Sequence, residues 1–296
     1  MQERRRGSPG EYSISAKLLV TQSGRNTIRP VAKKLGQLEA LFFAHAQMRN
    51  TRTVRTGDLT SPLRITVKQE RELLSRMSRS GLIAKVRRGL YLVPARLPLG
   101  GKWSPDEALA LNTLMEDREA RYQICGPNAF NRYGFDEQMP ARVYVYNNRL
   151  SGQRTIGAVA LTLIKVADSR LGDTEQVRTP EGLTMVYSSR ARTLLDAVYD
   201  WSRFGSLPRA YDWIRQDVKS GRTNVADLVK MTVRYGNQGT VRRIGALLEQ
   251  LGAPEPLLRN LLRLLKPSAS PIPWVPSYPK RGTVHRHWGV VLNDRA

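Results

Sequence analysis

The sequence predicts an α+β fold in two parts: a small helix-and-hairpin domain, then a larger domain in which a short sheet precedes a helical half. Three observations carry this. Residues 66–94 read as helix, turn, strand, basic hairpin and strand. Between 122 and 187 the apolar residues fall in short alternating runs, the period of half-buried strands, and beyond Ser188 the period becomes helical and stays so. The chain of 296 residues also exceeds the common single-domain size of about 100–150, so two domains are expected.

The elements follow in order. Residues 1–30 are a basic segment in which Arg4, Arg5 and Arg6 stand beside Gly7, Ser8, Pro9 and Gly10, a composition that buries no core and reads as flexible. The first domain is placed at 31–97. Leu35, Leu38, Leu41, Phe42 and Met48 recur near helical spacing and predict its first helix over 35–49. Thr56 caps a short second helix from Gly57 that Pro62 distorts. Thr66 is an N-cap for a third helix, and Gly81 supplies its left-handed terminus.

In that third helix Val67, Leu73, Leu74 and Met77 share one side, and Lys68, Gln69, Glu72, Ser75, Arg76 and Arg79 the other. Strands over 82–86 and 90–93 follow, joined by the tight turn Arg87-Arg88-Gly89. This order is that of the last part of a winged helix-turn-helix, whose reading helix lies in a major groove. Arg76, Arg79, Lys68 and Gln69 would then face base edges, where arginine reads guanine and glutamine adenine. Ser75 and Thr66 would sit on phosphate, and Lys85, Arg87 and Arg88 would form the wing. Glu70 and Glu72 temper the helix and favour selected contacts over indiscriminate ones. A charged surface helix beside an ordinary hairpin is the alternative.

Charge favours the nucleic-acid reading. The chain holds 48 Lys plus Arg against 25 Asp plus Glu, a net +23, which implies a polyanionic partner. Residues 1–102 contain 21 basic and 6 acidic side chains, and the remainder 27 and 19, so the excess concentrates where the reading helix lies. No apolar run approaches the ~20 residues that span a bilayer, so a membrane is not expected as partner. Cys125 is the only cysteine, which excludes an internal disulfide and a cysteine-based zinc site and fits a reducing cytoplasm. The basic N-terminus is followed by no apolar core of a secretion signal.

After a Pro/Gly-rich linker near 96–102, the second domain is placed at 103–266. Ser104-Pro105-Asp106-Glu107 reads as a capping box opening a helix to about Asp117. Strands are expected at 122–125, 142–146, 156–166 and 183–187, with a short helix over 128–133, giving a sheet of about four strands. Helices follow at 191–201, 209–219, 225–235, 241–251 and 256–266. Residues 267–296 read as a proline-rich tail with a final strand over 283–293. Arg190, Arg192, Arg209, Arg215, Arg242 and Arg243 give the helical half its own positive character. They are either solvated helix faces or a second basic surface.

Enzymatic motifs are thin, and no catalytic activity, cofactor or metal is expected. There is no phosphate-binding Gly-rich loop, His-Glu-x-x-His or Gly-x-Ser-x-Gly. His285 and His287 could pair on a metal but lack a third ligand. Asp168, Asp173 and Glu175 lie close together, as a metal-dependent nuclease would require, but in a Gly-containing loop without a matching basic partner, and solvated loop charges are the better account. Gly236-Asn237-Gln238-Gly239 has the look of a nucleotide-clamping KH loop, without its strands.

Three segments together resemble a known family. Gly81-Leu-Ile-Ala-Lys-Val-Arg-Arg-Gly-Leu-Tyr-Leu-Val-Pro94, Tyr122-Gln-Ile-Cys-Gly-Pro-Asn-Ala-Phe-Asn-Arg-Tyr-Gly-Phe135 and Ser189-Arg-Ala-Arg-Thr-Leu-Leu-Asp196 are similar, in this order, to the AbiEi-type abortive-infection antitoxins. The resemblance covers about residues 35–199. It implies a winged helix-turn-helix that represses the antitoxin–toxin operon by binding inverted-repeat operator DNA, and a C-terminal domain that neutralises a nucleotidyltransferase-like toxin. The long basic N-terminus and the proline-rich end depart from that pattern. A stand-alone winged-helix regulator whose second domain binds another protein or a ligand is the second reading. A nucleic-acid-processing enzyme built on the 168–175 loop is the third.

Overall fold

The structure, a computed structural model, describes residues 35–96, 102–267 and 270–294; the basic segment 1–30 lies outside the described residues. The fold is α+β. The first unit comprises helix α1 (Gln37–Met48), strand β1 (Thr53–Arg55), helix α2 (Val67–Arg79) and the hairpin β2 (Ala84–Arg87) and β3 (Leu90–Leu92). β3 lies between β1 and β2, antiparallel to both. Phe42, Phe43, Val54, Leu73, Leu74 and Met77 make its core. The short helix expected from Gly57 is instead a run of hydrogen-bonded turns, in which Leu63 N–H reaches Leu59 O and Ile65 N–H reaches Thr60 O. Glu70 anchors them: its buried carboxylate accepts from Gly57 N at 2.7 Å and Leu59 N at 2.9 Å, while Gly57 (φ +111°) and Arg64 (φ +49°) leave the helical region.

The second unit opens with α3 (Glu107–Asp117). Its N-cap is Asp106, which accepts from Leu109 N at 2.8 Å, and not Ser104. There follow β4 (Tyr122–Ile124), α4 (Pro127–Arg132), β5 (Val143–Asn147), β6 (Gly152–Ile156), β7 (Val159–Lys165), β8 (Thr174–Arg178) and β9 (Thr184–Ser188). They form one mixed sheet in the order β6-β7-β5-β4-β9-β8. It has six strands where the sequence predicts about four. The two extra strands, β6 and β8, are the sheet's edges, mostly exposed and polar, so they lack the apolar alternation by which a strand is recognised. The inner strands β5 and β7 run parallel in the register Val143–Leu161 to Asn147–Lys165.

The helical half is α5 (Arg190–Tyr199), α6 (Trp201–Phe204), α7 (Arg209–Lys219), α8 (Val225–Tyr235), α9 (Gln238–Gln250) and α10 (Glu255–Leu262). The chain ends in a small sheet of β10 (Ile272–Pro273), β11 (Thr283–His285) and β12 (Val290–Leu292), with β12 in the middle. This segment is no loose tail. Trp274, Val275, Trp288 and Val290 belong to the core of the helical half. Trp288 lies flat against Gly245 of α9, where a Cβ would come within 2.1 Å of the indole. Tyr211 stacks on Trp274 at 3.9 Å and donates its hydroxyl to the Trp274 carbonyl at 2.7 Å.

The two units share a core. Ala84, Val86, Leu90 and Leu92 of the hairpin pack with Ala108, Leu111 and Leu114 of α3 and Ile156 of β6. Apolar burial at this seam therefore orients α2 and the hairpin relative to the sheet.

Candidate nucleic-acid interface

The candidate interface is built from the exposed side of α2 and the adjoining hairpin. α2 begins at Thr66, whose hydroxyl accepts from Gln69 N at 3.2 Å, while Gln69 Oε1 accepts from Thr66 N at 2.9 Å. This reciprocal box satisfies two of the helix's orphan donors. It also alters two expected roles. The Thr66 hydroxyl and the Gln69 carbonyl oxygen are committed to each other, so reading adenine through Gln69 would require opening the cap.

Glu70, Leu73, Leu74 and Met77 form the buried side of α2. Two corrections follow. Glu70 points inward, so only Glu72 tempers the exposed side, and Val67, expected in the core, is 44% exposed. Lys68, Ser75 and Arg79 stand opposite the buried stripe in water, with Arg76 at its flank. Arg71 is also exposed there and was missed, although its spacing to Lys68 and Ser75 places it on their face. Arg76 Nε donates to Glu39 Oε1 at 3.1 Å, from α1, yet half the side chain remains in solvent.

The hairpin divides its three cations. Lys85 and Arg88 are exposed, and neither side chain has a partner among the described residues. Arg87 is different. Its Nε and NH2 donate to the two oxygens of Asp117 at 2.6 and 2.7 Å, a bidentate pair with the end of α3. Arg55 NH1 joins at 3.0 Å. Asp117 is almost wholly buried, and the hydrogen bonds from Arg87 hold its carboxyl below the usual carboxylate range despite the cost of burial, while the same bonds raise the Arg87 guanidinium. Arg87 is thus a clasp between the units and not a free contact. Arg55 and Asp117 carry no local signal, because their meeting depends on the seam.

The proposed second basic surface does not exist as one surface. Arg192 is fully buried, donating through Nε to both Asp196 oxygens at 3.0 Å and through NH2 to Arg170 O at 2.8 Å, with its guanidinium 3.8 Å from the Tyr235 ring centroid. Arg242 and Arg243 are 8% exposed and turn to the C-terminal segment, Arg242 to Ser270 O and Arg243 to Pro273 O. Arg190 is bidentate on Asp217 at 2.8 and 2.5 Å. Burial pushes Asp217 up, and the bonds from Arg190 and Thr223 overcome it, leaving it below its ordinary value. Arg209 pairs with Asp136 at 2.9 Å and Arg215 with Asp212 at 2.8 Å. Arg192, Arg242 and Arg243 are thus spent on structure, while Arg209 and Arg215 remain partly in water in surface ion pairs.

The remaining candidates separate as well. Asp168 accepts from Asn148, Asp173 from the Tyr235 hydroxyl at 2.6 Å, and Glu175 lies on the edge strand β8. His285 and His287 both approach Glu249, at 3.7 and 3.4 Å. Among the described residues no group of three His, Cys, Asp or Glu could hold a metal ion. The Gly236–Gly239 stretch is no open loop: α9 begins at Gln238, with Asn237 as its cap accepting from Thr240 N at 2.9 Å. Among the described residues no helix is long and apolar enough to cross a membrane.

No family model and no curated protein matches the chain. Among solved structures it is similar to the crystal structure of RV2827C protein from Mycobacterium tuberculosis, with a TM-score of 0.55 and 14% identity. The match covers 87% of this chain and 92% of that one, so the likeness extends over both units, and what it establishes is the shared fold.

Proposed function

We propose that the chain is a DNA-binding autorepressor of the antitoxin type, in which residues 35–96 act as a winged helix-turn-helix and α2 is the reading helix. One observation carries the reading: Lys68, Arg71, Ser75, Arg76 and Arg79 form an exposed, largely unpaired face beside a hairpin that presents Lys85 and Arg88. A cation left unpaired on a rigid element suits a phosphate or a guanine edge. The net charge of +23 supports the same class of partner. Lys68, Arg71, Arg76 and Arg79 are assigned to the groove and Arg88 to the backbone, with Arg87 reassigned to positioning the hairpin. The antitoxin role rests on the sequence resemblance, and the second unit is its proposed toxin-neutralising part.

Footprinting on the protein's own promoter tests the first half. Protection of an inverted repeat with half-sites about 10 bp or a multiple apart is expected, and unprotected promoter DNA would refute it. Whether the adjacent gene encodes a nucleotidyltransferase-like protein, and whether co-expression relieves that protein's toxicity, tests the second half; no such gene, or unrelieved toxicity, would leave a stand-alone regulator. A cleft of about 500 Å³ between the end of α2 and the β6–β7 turn favours that second reading.

A further inference from the structure

We propose that the cleft between the end of α2 and the β6–β7 turn is a site for phosphoryl oxyanions. It measures about 500 Å³ and is lined by Ser78, Arg79 and Lys85 from the first unit and by Lys102, Trp103 and Thr155 from the second. That volume is within the roughly 300–1,000 Å³ of small-ligand sites. Three cations line it and, among the described residues, no carboxylate does. None of the three has an ion-pair or hydrogen-bond partner among the described residues, whereas Arg76, Arg87, Arg190 and Arg192 all do. An uncompensated positive cleft concentrates anions.

The backbone of the walls is fixed, and Arg79, Lys85 and Lys102 extend from it as exposed side chains. Trp103 N–H donates to Gly81 O at 2.7 Å, and Ser104 Oγ accepts from Ala158 N at 2.8 Å, so the segment entering α3 is stitched to both sides. Gly81 has φ +75°, and the place its Cβ would take is filled by Lys102 Cγ at 2.7 Å. The lysine stem therefore rests on the glycine, beside the cations of α2 and β2. Three cations suit a multiply charged anion with several acceptor oxygens better than a single carboxylate, and the Ser78 and Thr155 hydroxyls add neutral donors. The half-buried indole of Trp103 supplies an apolar wall.

The phosphates could belong to a small phosphorylated molecule or to a nucleic-acid backbone; only the second source rests on the proposed function. Calorimetry with inorganic pyrophosphate on the full chain tests the site directly. The variant Lys102→Gln should bind about tenfold more weakly, and Lys219→Gln, an exposed charge outside the cleft, should bind like the wild type. Operator binding then separates the sources. For a backbone source, Lys102→Gln loses operator affinity and its salt slope falls by about one phosphate. For a free ligand, operator affinity without pyrophosphate is unchanged, and pyrophosphate shifts it only in the wild type. The proposal is overturned if Lys102→Gln matches Lys219→Gln in both measurements. A chain that binds no DNA would sink the repressor reading and leave the calorimetry to decide the cleft.

Discussion

On α2, Lys68, Arg71 and Arg79 stand in water with no acidic partner among the described residues, whereas on α5 and α9 Arg192, Arg242 and Arg243 are sealed under the C-terminal segment or against Asp196. Both groups contribute equally to the net charge. Only the first can exchange counterions with a polyanion; the second holds helices together. Formal charge therefore overstates the surface available to a nucleic acid, and the distribution along the chain is the better guide.

The comparison breaks most visibly at Arg192. Arg192→Met should cost about 3–5 kcal/mol in urea denaturation, since it leaves Asp196 buried with only Arg170 for company. The same change at Arg79 should stay within about 0.5 kcal/mol, and a comparable loss there would end the distinction between the two groups. In operator binding the order reverses. Arg79→Ala should cost about 1–3 kcal/mol and alter base preference, and Arg88→Ala should weaken all sequences alike and lower the salt slope by about one. An Arg192 variant that still folds should keep its salt slope.

Asp117 sharpens the boundary between the groups, because it decides to which of them Arg87 and Arg55 belong. Asp117→Asn should lower stability by about 1–2 kcal/mol and raise the salt slope of DNA binding, as two guanidinium groups are released. A lowered slope would mean that the clasp orients Arg88 and that its positioning role dominates. The smallest effect is in acid. The folded Asp117 carboxyl lies below its ordinary value, so its contribution is complete above about pH 3.9, the value of the unfolded chain, and is lost as pH falls through the lower folded value. The stability gap between wild type and Asp117→Asn should narrow in that window. A gap independent of pH would show that packing, and not charge, links the units.

Much of the fold was legible where one periodicity ruled. α7 and α8 have the expected bounds, and α2 differs from expectation only in which residue of its first turn is buried. What escaped was written in pairs of distant residues. The edge strands β6 and β8 hydrogen-bond through backbone and leave polar side chains outside. Ser104 looked like a cap and is instead bonded to the β6–β7 turn. The candidate site was legible as a face but not in its occupancy: Gln69 held by Thr66, Glu70 by the turn at 57–59, and Arg87 by Asp117. A polar residue's chemistry can be read from its type, but whether it is free depends on what folding brings beside it.

Gly245 shows how one absent side chain can set the terms for a distant segment. Alanine in its place would favour the helix by about 1 kcal/mol by intrinsic propensity, yet its methyl group would enter the Trp288 ring. A residue poorly suited to a helix is the one that lets the segment around Trp288 close over it. In related sequences, these two positions should therefore change only as a pair: a larger residue at 245 should be found with a smaller one at 288, and an indole at 288 with glycine beneath it.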